Sequence, residues 1–132
     1  NAVIGGHVRV GDGAILGGNS AVHQFCRIGR KAMIGGLSGV YRDVIPFGIV
    51  TGERGKLRGL NVIGLKRSGF EEATVKSITR AFMFIFKGKN GTFVERLAEA
   101  HEKYKDDAMI MEMIAFIDEA LKGRRNIMTA EM

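Results

Sequence analysis

A single cysteine, Cys26, leaves the chain unable to form an internal disulfide and makes a reducing compartment the simpler setting. Proline is as scarce, one residue at position 46, and tryptophan is absent. No apolar run approaches the roughly 18 residues a membrane-spanning helix needs. The N-terminal stretch has Gly and Arg where a signal peptide needs an apolar segment. Residues 1–67 hold only two Phe and one Tyr, without the spacing of a stacking surface, and their basic residues are scattered. Nucleic acid is therefore a poor partner for this half. The chain starts at Asn1 without a methionine, and the expectation is a fragment or a processed product.

What is present is unevenly distributed. Of 19 glycines, fifteen lie in 1–67 and four in 68–132. Residues 1–67 carry ten Lys/Arg against three Asp/Glu, a net +7; residues 68–132 carry ten against eleven, a net −1. The basic half suits an anionic partner such as a phosphate, a nucleotide or an acidic protein.

The first half repeats every six residues. Ile4, Val10, Leu16, Val22, Ile28, Ile34 and Val40 form one aliphatic column. Val8, Ala14, Ser20, Cys26, Ala32, Ser38 and Val44 form a second column of small or β-branched residues. Neither the helical period nor the strand period produces this spacing. A solenoid of short parallel strands does, with both columns turned into a narrow core and glycine expected at the bends, where other residues are strained. Two positions break the glycine rule, His23 and Tyr41.

The second half changes period. Pro46 to Asn61 reads as a glycine-punctuated loop. Ser68-Gly-Phe-Glu71 and Thr92-Phe-Val-Glu95 fit capping boxes, and Asp107 fits a third helix start. The expected apolar faces are Phe70, Ala73, Ile78, Ala81, Phe82, Ile85 and Phe86, then Val94, Leu97, Ala98 and Tyr104, then Ile110, Met113, Ile114, Ile117 and Leu121. Residues 124–132 read as a frayed tail, and His101 as a solvated helix residue. The organisation is thus 1–45 coils, 46–67 a loop segment, to which the resemblance named below adds nucleotide contacts, and 68–132 a three-helix cap.

The hexads resemble the hexapeptide-repeat transferases. That resemblance implies an all-β, left-handed parallel β-helix of triangular section, followed here by an α-helical cap, with three hexads to a coil and residues 18 apart stacked. The segments "GGHVRVGDGAILGGNSAVHQFCRIG", "DVIPFGIVTG" and "GLNVIGLKRSGF" look like the C-terminal half of the UDP-N-acetylglucosamine O-acyltransferases, which open lipid A synthesis. The resemblance implies a cytoplasmic enzyme. It would move a fatty acyl group, a 3-hydroxyacyl group in our reading, from acyl carrier protein to the sugar 3-hydroxyl of UDP-N-acetylglucosamine. It would use no cofactor or metal and work as a homotrimer, its sites in clefts between neighbours.

Residue by residue, the resemblance implies supporting catalytic roles for His7 and for the Gly6 N–H as oxyanion donor. It implies substrate-lining roles for His23 and Gln24, nucleotide contacts from Asn61 and Arg67, and an acyl groove over Gly18 and Gly36, the latter limiting chain length. Ser68 stands where many relatives have a second arginine, and Ile63 where some have glutamate. The family's general base belongs to a His-x-x-His-Asp motif that this chain lacks, so the chain alone is expected to be inactive. Arg27, Arg30, Lys31, Arg54 and Lys56 are the expected contacts for the acidic carrier. Without the resemblance, His7 would read as a surface turn residue and Lys66-Arg67 as a solvated pair. Other readings are a sibling N-acyl or acetyl-CoA-dependent transferase, a trimerising β-helix without catalysis, and a zinc enzyme of the γ-carbonic anhydrase type. The last needs three histidine ligands, and the coils offer only His7 and His23.

Overall fold

The structure is a computed structural model, and it describes residues 1–123 and 127–129. Seven two-residue strands follow the hexads: β1 (Val3–Ile4), β2 (Arg9–Val10), β3 (Ile15–Leu16), β4 (Ala21–Val22), β5 (Arg27–Ile28), β6 (Met33–Ile34) and β7 (Gly39–Val40). They stack as parallel ladders, β1-β4-β7, β2-β5 and β3-β6, on three faces of a triangular coil. The register is 18 residues: Ile4 lies beside Val22, Val10 beside Ile28, Leu16 beside Ile34 and Val22 beside Val40.

Burial rises from tier to tier. Ile4 and Val10 are 48% and 43% exposed, whereas Val22, Ile28, Ile34 and Val40 are buried. Val22, Ile28 and Ile34 have a neighbour in register on each side, Val40 is buried in the last rung of its ladder, and the first tier is left open. Ser20, Cys26, Ala32 and Ser38 fill the second column and are buried too, whereas Val44, expected in that column, is buried beside Ile28 of the aliphatic column.

The bends work differently from the expectation. Glycine is not there for conformational freedom. The left-handed backbone at each corner falls on His7, Gly13, Asn19, Phe25, Lys31, Leu37 and Phe47, all but one of them with side chains. That conformation costs a non-glycine residue about 1–2 kcal/mol. In the upper tiers it aims an N–H at the tier before: Phe25 donates to Gly6 at 3.0 Å, Lys31 to Asp12 at 2.9 Å and Leu37 to Gly18 at 3.0 Å. The repeated glycines are required by close approach instead. A Cβ on Gly5, Gly11, Gly17 or Gly29 would lie 2.3–2.6 Å from backbone nitrogen of the next tier.

The third coil is shorter. Ile28 bridges Val44, and Met33 pairs with Ile49, a shift of 16 residues rather than 18. The segment expected as loop is therefore strand in part. β8 (Gly48–Thr51) adds a parallel rung to β6, and β9 (Lys56–Leu60) folds back antiparallel on β8.

Four helices follow, not three: α1 (Val62–Arg67), α2 (Glu72–Lys87), α3 (Phe93–Lys103) and α4 (Ala108–Lys122). Asn61 caps α1, its Oδ1 accepting from Gly64 N at 3.2 Å. Ser68, expected to open a helix, instead ends α1, and α2 starts at Glu71 with no side-chain cap. Thr92 and Asp107 cap α3 and α4 as their sequence signals indicate. Ala73 is exposed, and α3 buries Arg96, Leu97 and Ala100 rather than Val94, Ala98 and Leu97 together. The Arg96 guanidinium reaches the carbonyls of Ile85 and Gly91 at 3.0 and 2.8 Å, so a charged residue occupies the inner face by capping the end of α2. In α4, Ala120 is buried and Leu121 is 40% exposed. His101 is not merely solvated: its Nε2 lies 2.7 Å from Asp118 Oδ2, linking α3 to α4. Of the expected frayed tail, Ile127 bridges Asp43 and is buried with Met128. The rest of that tail, 124–126 and 130–132, lies outside the described residues.

The cap is pinned to the coil by Arg27. Its Nε lies 3.1 Å from Asp43 Oδ2, its Nη2 donates to the Phe116 carbonyl at 3.0 Å, and its Nη1 lies 3.0 Å from Glu119. Its Cζ sits 4.2 Å above the Phe116 ring. Among the described residues no helix is long and apolar enough to cross a membrane.

Candidate functional site

The 18-residue register builds the candidate site as vertical columns along the corners of the coil. The first corner follows β1 and β4. There Gly6 lies under Gln24, as the Phe25 N–H bond to Gly6 shows, and Gly5 lies under His23 and Gln24. His7, His23 and Gln24 are all exposed on this corner. The Gly6 N–H donates to no group among the described residues, which leaves it open to a ligand; the other corners share this property.

Two aromatic residues complete the corner. Phe25 stacks on His7 with ring centroids 5.1 Å apart and planes within 4°. Tyr41 leans against His23 at 6.1 Å and 41°. Neither was picked out as a site residue from the sequence, yet the signal was there: 7 plus one coil is 25, and 23 plus one coil is 41. His23 Nδ1 also lies 3.3 Å from the Gln24 carbonyl.

The glycine groove stands elsewhere. Gly18 and Gly36 do stack, a Cβ on Gly36 lying 3.3 Å from Gly18 O, and nothing lies within 4 Å of a Cβ on Gly18. They occupy the third corner, after β3 and β6, across a face of the coil from His7. Within a single chain the expected acyl groove over Gly18 and Gly36 therefore stands apart from the corner that carries His7, His23 and Gln24. The hexad repeat advances the chain one corner every six residues, so Gly18, eleven residues after His7, stands two corners on.

Asn61 and Arg67 stand at neither place. They bracket α1, which lies against the second corner. The Asn61 N–H donates to Phe47 at 2.7 Å, and Lys31 reaches Ser68 Oγ at 3.4 Å and the Phe70 ring at 5.8 Å. Asn61 is buried with its Oδ1 committed to the cap, so its Nδ2 is the group left for a ligand. A Cβ on Gly64 would collide with the Asn61 side chain at 2.3 Å, which explains the Asn-x-x-Gly spacing. Arg67 is exposed in the last turn of α1 beside Lys66. Ile63 is 67% exposed on the same helix.

Of the basic residues expected to meet an acidic partner, Arg27, Arg30 and Lys31 make contacts within the chain. Arg27 is the buried pin described above. Arg30 grips Glu112 of α4 with bonds of 3.0–3.2 Å. Lys31 faces Ser68 and Phe70. Arg54 and Lys56 are exposed and line, with Arg42, a concavity of about 420 Å³ that reaches Tyr41. Among the described residues no group of three His, Cys, Asp or Glu lies close enough together to hold a metal ion.

A family model described as UDP N-acetylglucosamine O-acyltransferase, domain 2, matches residues 43–128. An acyl-[acyl-carrier-protein]–UDP-N-acetylglucosamine O-acyltransferase of Sinorhizobium fredii is 46% identical over 117 residues, 89% of this chain and 43% of that protein. Its counterpart in Sinorhizobium medicae is 49% identical over 110 residues, 83% of this chain and 40% of that one. The solved Arabidopsis UDP-N-acetylglucosamine acyltransferase superposes with a TM-score of 0.92 at 37% identity, over 98% of this chain and 46% of its own. The Campylobacter jejuni UDP-N-acetylglucosamine acyltransferase gives 0.86 at 29%, over 100% and 49%. The chain thus spans less than half the length of the relatives it matches. These solved structures are left-handed parallel β-helices with a short helical region at the C-terminus, the architecture found here. The coil, the closing β8–β9 hairpin and the helical cap place this chain in the UDP-N-acetylglucosamine O-acyltransferase family.

Proposed function

We propose that this chain forms part of an acyltransferase that moves a fatty acyl group from acyl carrier protein to the 3-hydroxyl of UDP-N-acetylglucosamine. The observation that carries the proposal is the first-corner column, where His7, His23, Gln24 and the open Gly6 N–H stand together in a chain of this family. Acyl transfer needs a base for the attacking hydroxyl and donors for the oxyanion of the tetrahedral intermediate. Gly6 supplies a donor of the required kind. His7 and Gln24 supply polar groups within one tier of it. The base itself is assigned to the family's His-x-x-His-Asp segment, which is not in these 132 residues.

The three-corner arrangement supports a homotrimer. The histidine corner, the glycine corner and the Asn61–Arg67 corner of one chain face outward in different directions. They can surround one substrate only if a neighbouring copy presents one corner to another. Arg67 would then grip a diphosphate oxygen and Asn61 Nδ2 a nucleotide acceptor, with the alkyl chain along Gly18 and Gly36. We assign the reaction to the cytoplasm, where the acidic carrier would meet Arg42, Arg54 and the basic rim.

The test is a chimaera in which this chain replaces the matching half of the Arabidopsis relative. Transfer from acyl carrier protein to UDP-N-acetylglucosamine is expected, by a particle sedimenting as a trimer. His7→Ala and Gln24→Ala should slow it, and Arg67→Ala should raise KM for the nucleotide sugar about 10- to 100-fold, the weight of a charge-assisted contact. A folded trimer with no transfer activity overturns the proposal.

A further inference from the structure

We infer that Phe25 is a positioning residue for His7, fixing the plane in which the imidazole offers its nitrogens. The inference rests on the role proposed for His7. The rings are 5.1 Å apart and within 4° of parallel, an offset stack and the flattest aromatic pair among those described. Both residues have left-handed backbone, φ 58° and 67°, at the same corner of successive tiers. The Phe25 N–H bond to Gly6, 3.0 Å, ties its backbone to the residue just before His7. The shelf and the ring it supports are thus anchored to each other twice, through the backbone and through the stack.

An imidazole makes its hydrogen bonds in the plane of its ring. Holding that plane restricts the directions in which His7 can donate or accept, while leaving its edge exposed to solvent and substrate. A glycine would satisfy the same corner at lower conformational cost, as Gly13 does at the second corner. Here the corner carries two rings instead. The neighbouring pair is looser: Tyr41 meets His23 at 41°, which supports that ring without setting its plane.

Phe25 is 55% exposed, so its replacement leaves the core intact. The test compares Phe25→Leu and Phe25→Tyr, each with and without His7→Ala, in the chimaera. Phe25→Leu should lower kcat by about two- to tenfold with KM little changed, the range expected for an aromatic pair. Phe25→Tyr should restore it. In the His7→Ala background, Phe25→Leu should have no further effect. An equal loss in that background, or a change confined to KM, overturns the inference. A readout independent of catalysis is the His7 carbon-bound ring-proton resonance of this chain. Phe25→Leu should shift it by removing the ring current, and Phe25→Tyr should not. No shift with leucine overturns the inference. A clear shift in a chimaera without activity would leave the stack standing and remove the proposed reaction.

Discussion

Asp43→Ala is expected to loosen the cap from the coil. Asp43 is 3% exposed and makes two bonds to Arg27, accepting from its backbone N–H at 2.9 Å and from its Nε at 3.1 Å. Alanine would leave a buried N–H without its acceptor and a buried guanidinium without its inner carboxylate. Removing one partner of a buried pair costs roughly 3–5 kcal/mol. The Phe116 carbonyl and Glu119 still hold the other nitrogens of Arg27, so the lower end of that range applies, about 3 kcal/mol. A melting temperature about 9–15 °C lower would follow for a domain of this size. Glu119→Gln is the control: Glu119 is 66% exposed, and its share should be under about 1 kcal/mol. Urea and thermal unfolding read both values. A loss below 1 kcal/mol for Asp43→Ala, or equal losses for the two variants, would refute the assignment of Arg27 as the pin. The pair would then be a bystander to packing by Phe116 and Ile127.

The glycine pairs give a sharper contrast. Gly17→Ala places a Cβ 2.4 Å from Gly36 N and should destabilise by about 1–3 kcal/mol, whereas Gly18→Ala meets nothing and should be within about 0.5 kcal/mol, both read by urea unfolding. Gly36→Met, in the chimaera, should shift acyl preference to shorter chains, measured by competition between acyl carrier proteins of different loading; unchanged preference would remove the groove from the third corner. Asn61→Asp keeps the capping acceptor for Gly64 but replaces the Nδ2 donor with a carboxylate. It should leave the melting temperature unchanged while raising KM for UDP-N-acetylglucosamine, whereas Asn61→Ala should lower both affinity and stability, the latter by about 0.5–2 kcal/mol.

Much of this molecule is written in the period of its first half. Two columns, each repeating every six residues, place β1 to β7 and their faces, because each two-residue strand turns one aliphatic side chain inward and the small residue just before it fills the remaining space. The register of the coil reaches the aromatic shelf, since Phe25 and Tyr41 follow from His7 and His23 by adding one coil. It fails at Val44, where the coil shortens to 16 residues. Nothing in the aliphatic spacing marks that step. Pro46 sits there, with its N and Cα against Gly29, and the tier closes early around it.

The misread helix starts share a different cause. Ser68 and Asn61 are both capping residues by type, and either could open a helix in isolation. The choice is made by what lies beside them. The Asn61 N–H is held by Phe47, and Gly64 leaves space for its side chain, so the helix spans Val62–Arg67 with Ser68 as its C-cap. Likewise Arg96 faces inward because the open carbonyls at the end of α2 are there to receive it, and no hydrophobic period in α3 could announce that. Candidate residues meet a related limit. A repeat of six fixes which corner a residue occupies, but a ligand held between copies of a chain draws on several corners at once. Sequence spacing therefore unites His7, His23 and Gln24, which share one corner. The same spacing sets Gly18 and Gly36 two corners on from His7, so one chain does not bring them to that corner.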